Sequence, residues 1–166
     1  MTLPFQIRTG LGHDTHRIEP GRPLRLGGVA LESPFGLAGH SDADVLLHAV
    51  IDALLGAAGL DDIGTLFPDS DPDFLNIDST KLLSEVARLV SSRNWTISNI
   101  DVILFAQEPK IAPYRSAIRN RLAELLSLPL DAVNIKAKTG EKLGFIGREE
   151  GISAAAIATL IRENSH

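Results

Sequence analysis

The run Val45 to Gly59, VLLHAVIDALLGAAG, restricts the fold of this 166-residue chain more than any other stretch. From the opening Ser41-Asp42-Ala43-Asp44 onward almost every position is apolar or alanine. The exceptions are Asp44, His48 and Asp52, which recur at i, i+4 and i+8 and share one helical face. A helix that is apolar nearly all round must be covered on every side. The pattern predicts a buried helix from about Asp42 to Ala58, with Ser41 as its cap and Asp44 as a shorter stand-in for the usual capping-box glutamate.

The remaining elements are those of an α/β layer structure. Phe5 to Leu11 alternates apolar and polar side chains, as a half-buried strand does, and places the next six residues, GHDTHR, at the strand exit. Pro23–Leu26 and Val29–Leu31, joined by Gly27-Gly28, read as a small hairpin. A second helix is expected from about Ser79 to Arg93, with Leu82, Leu83, Val86, Leu89 and Val90 on one stripe. A third follows from Pro113 to about Leu126, with Ile118, Leu122 and Leu125 inward. Ile100–Ala106 and Val133–Ala137 are strands by their β-branched content and brevity. The end, GISAAAIATLI, fits either a helix, by its alanines, or a final strand. Strands and helices interleave without a linker or repeat, so one domain over residues 1–166 is expected.

Composition narrows the chemistry. The chain has no cysteine, so any metal must be held by imidazole and carboxylate. A net charge of −5 argues against non-specific nucleic-acid binding, which needs Lys and Arg on phosphates. No signal-peptide pattern and no apolar run of spanning length is visible, so a soluble cytoplasmic protein without membrane association is expected.

Asp14 and His16 have alternate spacing, so in strand geometry their side chains leave one face and can converge on one ion. Each alone has an ordinary reading, a solvated turn for GHDTHR and a core histidine for His48. Together they supply three candidate ligands, with Asp44 and Asp52 as candidate partners that orient His48.

GHDTHRIEPG, LRLGGV, AGHSDADVLLHAVIDALLGAAGLDDIGTLFPDSDP, DVILFAQEPKIAPY and VNIKAKTGEKLGFIGREEGI resemble, in this order, the 2-C-methyl-D-erythritol 2,4-cyclodiphosphate synthase family. The resemblance runs from about Ile7 to Ile161. It implies a homotrimer of two-layer α/β sandwich subunits, each a mostly four-stranded mixed sheet backed by helices with a small N-terminal hairpin. It also implies conversion of 4-diphosphocytidyl-2-C-methyl-D-erythritol 2-phosphate to the 2,4-cyclodiphosphate and CMP.

Further roles follow from the same resemblance. Asp14, His16 and His48 would hold one Zn²⁺ per active site, and Glu141 would ligate a Mg²⁺ or Mn²⁺ that bridges the diphosphate. His40 and Thr139 would stabilise the transition state. His40 and Ser41 stand where free N–H groups at a helix start favour an anion. Asp62, Ile63, Gly64, Phe67, Asp69 and Asp71 would surround the methylerythritol unit. The segment from Ala106 through Lys110, Ile111 and Ala112 would hold cytidine, with zinc and cytidine segments contributed by different subunits. Lys138, Thr139, Gly140 and Glu141 would meet phosphate. Lys138 replaces a threonine common among relatives, which leaves a phosphate contact or a solvated side chain open. Phe145 and Arg148 would lie near the trimer axis, where some relatives hold an isoprenoid diphosphate. His13 would not be a ligand.

The reaction needs no protein nucleophile; its obstacle is charge. Two unit charges about 4 Å apart repel by about 4 kcal/mol at an effective dielectric near 20. Correct orientation of the reacting groups is worth roughly 7–11 kcal/mol in favourable systems. Two rivals use the same residues: a metal-dependent phosphohydrolase, and a zinc-stabilised trimer that only binds isoprenoid diphosphates.

Overall fold

The computed structural model describes residues 4–164. Strand β1 (Phe5–Pro20) runs straight through GHDTHR, so that motif is not a strand exit as expected but the middle of a strand. Its antiparallel partner is the final segment, β7 (Gly151–Glu163), in register from Phe5 against Glu163 to Arg17 against Gly151. The choice between helix and strand at this end thus resolves to strand. Alanine favours helix by only a fraction of a kcal/mol per residue. Hydrogen-bond ladders on both edges of β7, to β1 and to β5 (Thr96–Phe105), outweigh that preference.

Helix α1 (Val45–Ala58) crosses β1 at very short range. A Cβ on Gly10 would lie 2.0 Å from the carbonyl oxygen of Ala53, and one on Gly12 would lie 1.9 Å from that of Ala49. Bare glycine on the strand and alanine on the helix are what allow this approach. Gly10, Gly12, Asp14 and His16 share one parity of β1, so the face pressed on α1 is also the face that delivers Asp14 and His16.

The sheet has five strands in the order β4-β1-β7-β5-β6, with β4 at Phe35–Leu37 and β6 at Val133–Lys138. It is mixed: β5 and β6 are parallel and the other pairs antiparallel. The fifth strand, β4, is three residues long and too short to show a period. Strands β2 (Leu24–Leu26) and β3 (Val29–Leu31) form the expected separate hairpin. Gly27 and Gly28 both take positive φ at its turn, 64° and 74°.

Helix α3 (Ser79–Ser92) buries Leu82, Leu83, Val86 and Val90, and α4 (Arg115–Leu125) buries Ile118 and Leu122. Two short helices, α2 (Ile63–Leu66) and α5 (Gly144–Gly147), had no sequence signal. The core lies between the sheet and these helices, with Leu46, Leu47, Leu54, Leu83, Leu104 and Ile118 fully buried. Each such side chain contributes about 1.5–3 kcal/mol. The opposite sheet face stays uncovered, leaving Leu11 71% exposed and Ile157 43%. Among the described residues no helix is long and apolar enough to cross a membrane.

Candidate active site

Three acceptor atoms from two elements meet at one end of the β1–α1 contact. His16 Nε2 lies 2.9 Å from Asp14 Oδ2, His48 Nδ1 lies 3.0 Å from the same oxygen, and the two ring nitrogens are 3.1 Å apart. Thr15 N donates to Asp14 Oδ1 at 2.8 Å, which holds the carboxylate and turns Oδ2 into the cluster. His16 Nδ1 faces the Ala38 carbonyl at 2.6 Å. A carbonyl only accepts, so Nδ1 carries the ring proton and Nε2 presents a lone pair inward. One anionic oxygen and two imidazole nitrogens at this spacing are a set that could hold one metal ion. Ligands about 2.1 Å from a tetrahedral ion stand about 3.4 Å apart, close to the sides of this triangle.

The electrostatics agree with that. Burial would raise the Asp14 carboxyl, but hydrogen bonds from His16 and His48 and their charge hold it well below the usual carboxylate range. Burial would lower His16, but the hydrogen bond and charge of Asp14, then the Ala38 carbonyl, raise it above the ordinary histidine value. An excess of lone pairs draws a cation, be it a proton or a metal.

The triangle opens on a cavity of about 220 Å³ whose lining includes His40, Ser41, Ile63, Gly64, Phe67 and Asp69. Its apolar wall also takes Phe74, Ile77 and Leu82, which sequence reasoning did not single out; Phe74 meets Phe67 edge to face at 5.4 Å. Among the described residues, His40 Nε2 is the one buried side-chain polar atom without a hydrogen-bond partner. His40 as a residue lines the cavity, while this nitrogen itself is closed off from solvent.

Several expectations need correction. Helix α1 begins at Val45, not Asp42, and its cap is Asp44, whose Oδ1 accepts from Leu47 N at 3.1 Å. His40 and Ser41 therefore precede the helix, and a carboxylate already occupies its N-terminus. Asp44 is fully buried and also accepts from Gly27 N and Gly28 N at 2.8 and 2.7 Å. It ties the hairpin to α1, and burial pushes its carboxyl up despite those three donors. Asp52 accepts from Ile63 N at 2.8 Å and anchors α2; burial raises its pKa too. Neither carboxylate bonds the His48 ring, although helical spacing suggested it. The ring's Nε2 lies instead 3.1 Å from Ser41 Oγ and 3.0 Å from Ser79 Oγ. The hydroxyl of Ser79 donates to Asp42. Ser79 and Asp42 escaped sequence reasoning because both look like ordinary residues at helix starts.

Asp62 and Asp71 lie outside the cavity lining. Asp62 caps α2 and accepts from Thr65 N and Oγ1, and Asp71 accepts from Asp73 N. His13 projects from the opposite face of β1, with Nε2 2.9 Å from Ser153 Oγ.

A second cluster stands apart from the first. Parallel β5 and β6 end side by side, Phe105 against Lys138, and Ala106 N donates to Lys138 O at 3.0 Å. The segment from Ala106 to Ala112 is thereby set beside the loop holding Thr139, Gly140 and Glu141. Lys142 N donates to Gln107 Oε1 at 3.4 Å across them. Thr139 Oγ1 donates to Glu141 Oε1 at 2.9 Å. Glu141 and Lys142 both adopt left-handed backbone, φ 50° and 62°. For non-glycine residues that conformation is strained and clusters at ligand clamps. Lys110 and Lys138 are exposed, Ile111 is buried and Ala112 is exposed. Phe145 is exposed, and Arg148 pairs with Glu150 at 2.8 Å. None of residues 106–112 or 138–148 lines the cavity at Asp14.

A family model described as the YgbB family matches residues 7–161. The chain is 54% identical over 158 residues to the 2-C-methyl-D-erythritol 2,4-cyclodiphosphate synthase of Synechococcus elongatus, covering 95% of this chain and 99% of that protein. It is equally identical over 159 residues to the protein of that name from Burkholderia thailandensis, covering 96% and 98%. A solved 2C-methyl-D-erythritol-2,4-cyclodiphosphate synthase in a CDP-bound form superposes with a TM-score of 0.86 at 41% identity, over 92% of this chain and 99% of that one. The bifunctional IspDF of Campylobacter jejuni gives a TM-score of 0.92 at 43% identity over 96% of this chain, which spans 43% of that longer protein.

Proposed function

The chain belongs to the YgbB family, and from that premise we propose how its own residues perform the reaction for which its relatives are named. It is an enzyme that closes the 2,4-cyclodiphosphate of 2-C-methyl-D-erythritol and releases CMP. An oxygen of the substrate's 2-phosphate attacks the β-phosphorus. The bond from that phosphorus to the oxygen bridging it to the α-phosphorus breaks, and CMP leaves with that oxygen. No water enters and no redox change occurs.

The observation that carries the residue assignment is the convergence of Asp14 Oδ2, His16 Nε2 and His48 Nδ1 at the mouth of a cavity. These three residues hold a Zn²⁺, and Glu141 contributes to a Mg²⁺ or Mn²⁺ site on the diphosphate. When bound, the two cations withdraw charge from the attacked phosphoryl group and from the leaving group. His40, with its unpartnered Nε2, and Ser41 orient phosphate oxygens from the cavity wall. Ile63, Gly64, Phe67 and Asp69, with Asp62 and Asp71 nearby in sequence, enclose the methylerythritol unit and limit water. Thr139, whose one hydroxyl proton is donated to Glu141 here, would turn it to a phosphate oxygen once substrate is bound in the second cluster, beside the exposed Lys138. Ala106 to Ala112 takes the cytidine; the CDP-bound form of a solved relative supports a cytidine nucleotide as ligand.

Because the two clusters share no cavity in one chain, each supplies half of a site that forms between subunits of a homotrimer. The uncovered sheet face, with Leu11 and Ile157 exposed, supports that assembly. Phe145 and Arg148 belong to the axial region, where an isoprenoid diphosphate is a candidate ligand. One domain over residues 1–166, acting in the cytoplasm, completes the reading.

The test is to incubate the protein with 4-diphosphocytidyl-2-C-methyl-D-erythritol 2-phosphate, Zn²⁺ and Mg²⁺ and follow phosphorus NMR. Equal amounts of cyclic product and CMP are expected, none with chelator present, and none with Asp14→Ala. A linear phosphate carrying solvent oxygen would instead identify a hydrolase, and ligand binding without turnover would identify a binding protein.

A further inference from the structure

Asp42 and Ser79 stand behind His48, on the side of the ring away from the ligand triangle. Ser79 is fully buried, at the first turn of α3, 31 positions from His48 in the chain. Its Oγ lies 3.0 Å from His48 Nε2 and donates to Asp42 Oδ1, while Ser79 N donates to Asp42 Oδ2 at 3.2 Å. Asp42 is held in turn: its own N donates to Ile77 O at 3.1 Å, and Asp44 N donates to its Oδ1 at 3.2 Å. An ionised carboxylate only accepts. A serine hydroxyl has one proton, and here it is committed to Asp42.

What Ser79 Oγ offers His48 is therefore a lone pair. If Nε2 were bare, two lone pairs would face each other at 3.0 Å in a buried setting. Ser41 Oγ at 3.1 Å could donate to a bare Nε2, but Ser79 Oγ would still face it lone pair to lone pair. The Ser79 side is satisfied when Nε2 carries the proton and donates it. Neutral imidazole has one ring proton, so Nδ1 is then bare, and Nδ1 is the atom 3.0 Å from Asp14 Oδ2 and 3.1 Å from His16 Nε2.

We infer that Asp42 and Ser79 are positioning residues that fix the tautomer of His48, acting in series from carboxylate to hydroxyl to imidazole, so that the third lone pair of the triangle points at the ion. The inference rests on the metal reading above, because until a cation sits in the triangle the Asp14 carboxylate, 3.0 Å from Nδ1, competes with Ser79 for the one ring proton. The two histidines reach one state by different means: a backbone carbonyl fixes His16, and this side-chain relay fixes His48. Ser41 Oγ, 3.1 Å from the same Nε2, accepts from Ala43 N at 3.2 Å. Its hydroxyl proton is left free to turn to the cavity that Ser41 lines.

The experiment has two readouts. Nitrogen-15 NMR of the imidazoles in metal-free protein in mildly alkaline buffer reports the tautomer directly. Wild type should show a larger Nε2–H fraction for His48 than Ser79→Ala, in which the pull of Asp14 on an Nδ1 proton is unopposed. Competition against a chromophoric chelator should give a Zn²⁺ affinity lower by about 10–100-fold in Ser79→Ala. Ser79→Thr, which keeps the hydroxyl, should restore both. Asp42→Asn, which frees Ser79 to donate toward His48, should loosen the tautomer with Ser79 in place and covers the case in which Ser79→Ala fails to fold. An unchanged tautomer ratio and unchanged Zn²⁺ affinity in Ser79→Ala and Asp42→Asn overturn the inference. Wild type that takes up no Zn²⁺ defeats the metal reading instead, and the NMR result still decides the relay.

Discussion

Gly12 of β1 and Ala49 of α1 approach so closely that a Cβ on Gly12 would lie 1.9 Å from the Ala49 carbonyl oxygen. Ala49 follows His48 directly, and Asp14 lies two residues beyond Gly12 on the same strand face. The contact that packs strand on helix thus also sets the separation of Asp14 from His48. Backbone cannot yield locally as a flexible side chain would, so Gly12→Ala forces the strand and helix apart. A loss of about 1–3 kcal/mol in urea unfolding is expected, together with at least a tenfold weaker Zn²⁺ affinity by chelator competition. Gly56→Ala on α1 is the control. The Cβ it adds has no neighbour nearer than Gly10 Cα at 3.9 Å. It should gain about 0.5–1 kcal/mol from helix propensity and leave metal affinity unchanged.

Asp78 caps α3 and accepts from Thr80 N at 2.9 Å and from Thr80 Oγ1. Burial would raise its pKa, but those Thr80 hydrogen bonds outweigh it and the carboxyl sits below its ordinary 3.8. A carboxylate lowered in the folded chain stabilises it fully above the unfolded value and loses that contribution as pH falls through the lower folded value. Asp78→Ala should therefore cost about 1 kcal/mol at neutral pH. The difference from wild type, read from urea midpoints, should shrink only below about pH 4. A gap that stayed constant into strong acid would show that the cap acts without its charge.

Legibility from sequence followed the range of the interactions. Helix α1 was readable because burial on all sides is written into consecutive residues, and the β2–β3 hairpin because Gly27-Gly28 suits its turn without outside help. GHDTHR was read as a strand exit because both faces of β1 are polar there. Asp14 and His16 serve the ligand triangle, while His13 and Thr15 bond Ser153 on the other face. Alternation cannot separate two polar faces with different partners. The alanines of β7 pointed to helix as readily as strand because the two ladders that decide the matter come from residues far away in the chain. Helical spacing placed His48 and Asp52 one turn apart inside α1, while Asp44 became its cap. What it could not supply was the partner each side chain meets: Gly27 and Gly28 for Asp44, Ile63 for Asp52, and Ser79 for His48.

The outer sheet face carries the strongest consequence for activity. Leu11 and Ile157 are paired across β1 and β7, and both point away from α1. Adjacent apolar side chains so exposed at the middle of a sheet suit a protein–protein contact, and under the assembly proposed above a second copy of this chain is the expected cover. Leu11→Glu places a charge where that contact would exclude water, which is costly without a partner charge. Because Leu11 touches neither the core nor the ligand triangle, its far-ultraviolet circular dichroism should match wild type. Sedimentation should give the mass of one subunit instead of three, and turnover should fall roughly 100-fold or more as the two half-sites lose their register. Zn²⁺ affinity should survive, since Asp14, His16 and His48 all belong to one chain. A monomeric Leu11→Glu protein with full turnover would mean that one chain holds a complete site, and the division of labour between the Asp14 cavity and the Thr139 loop would have to be abandoned.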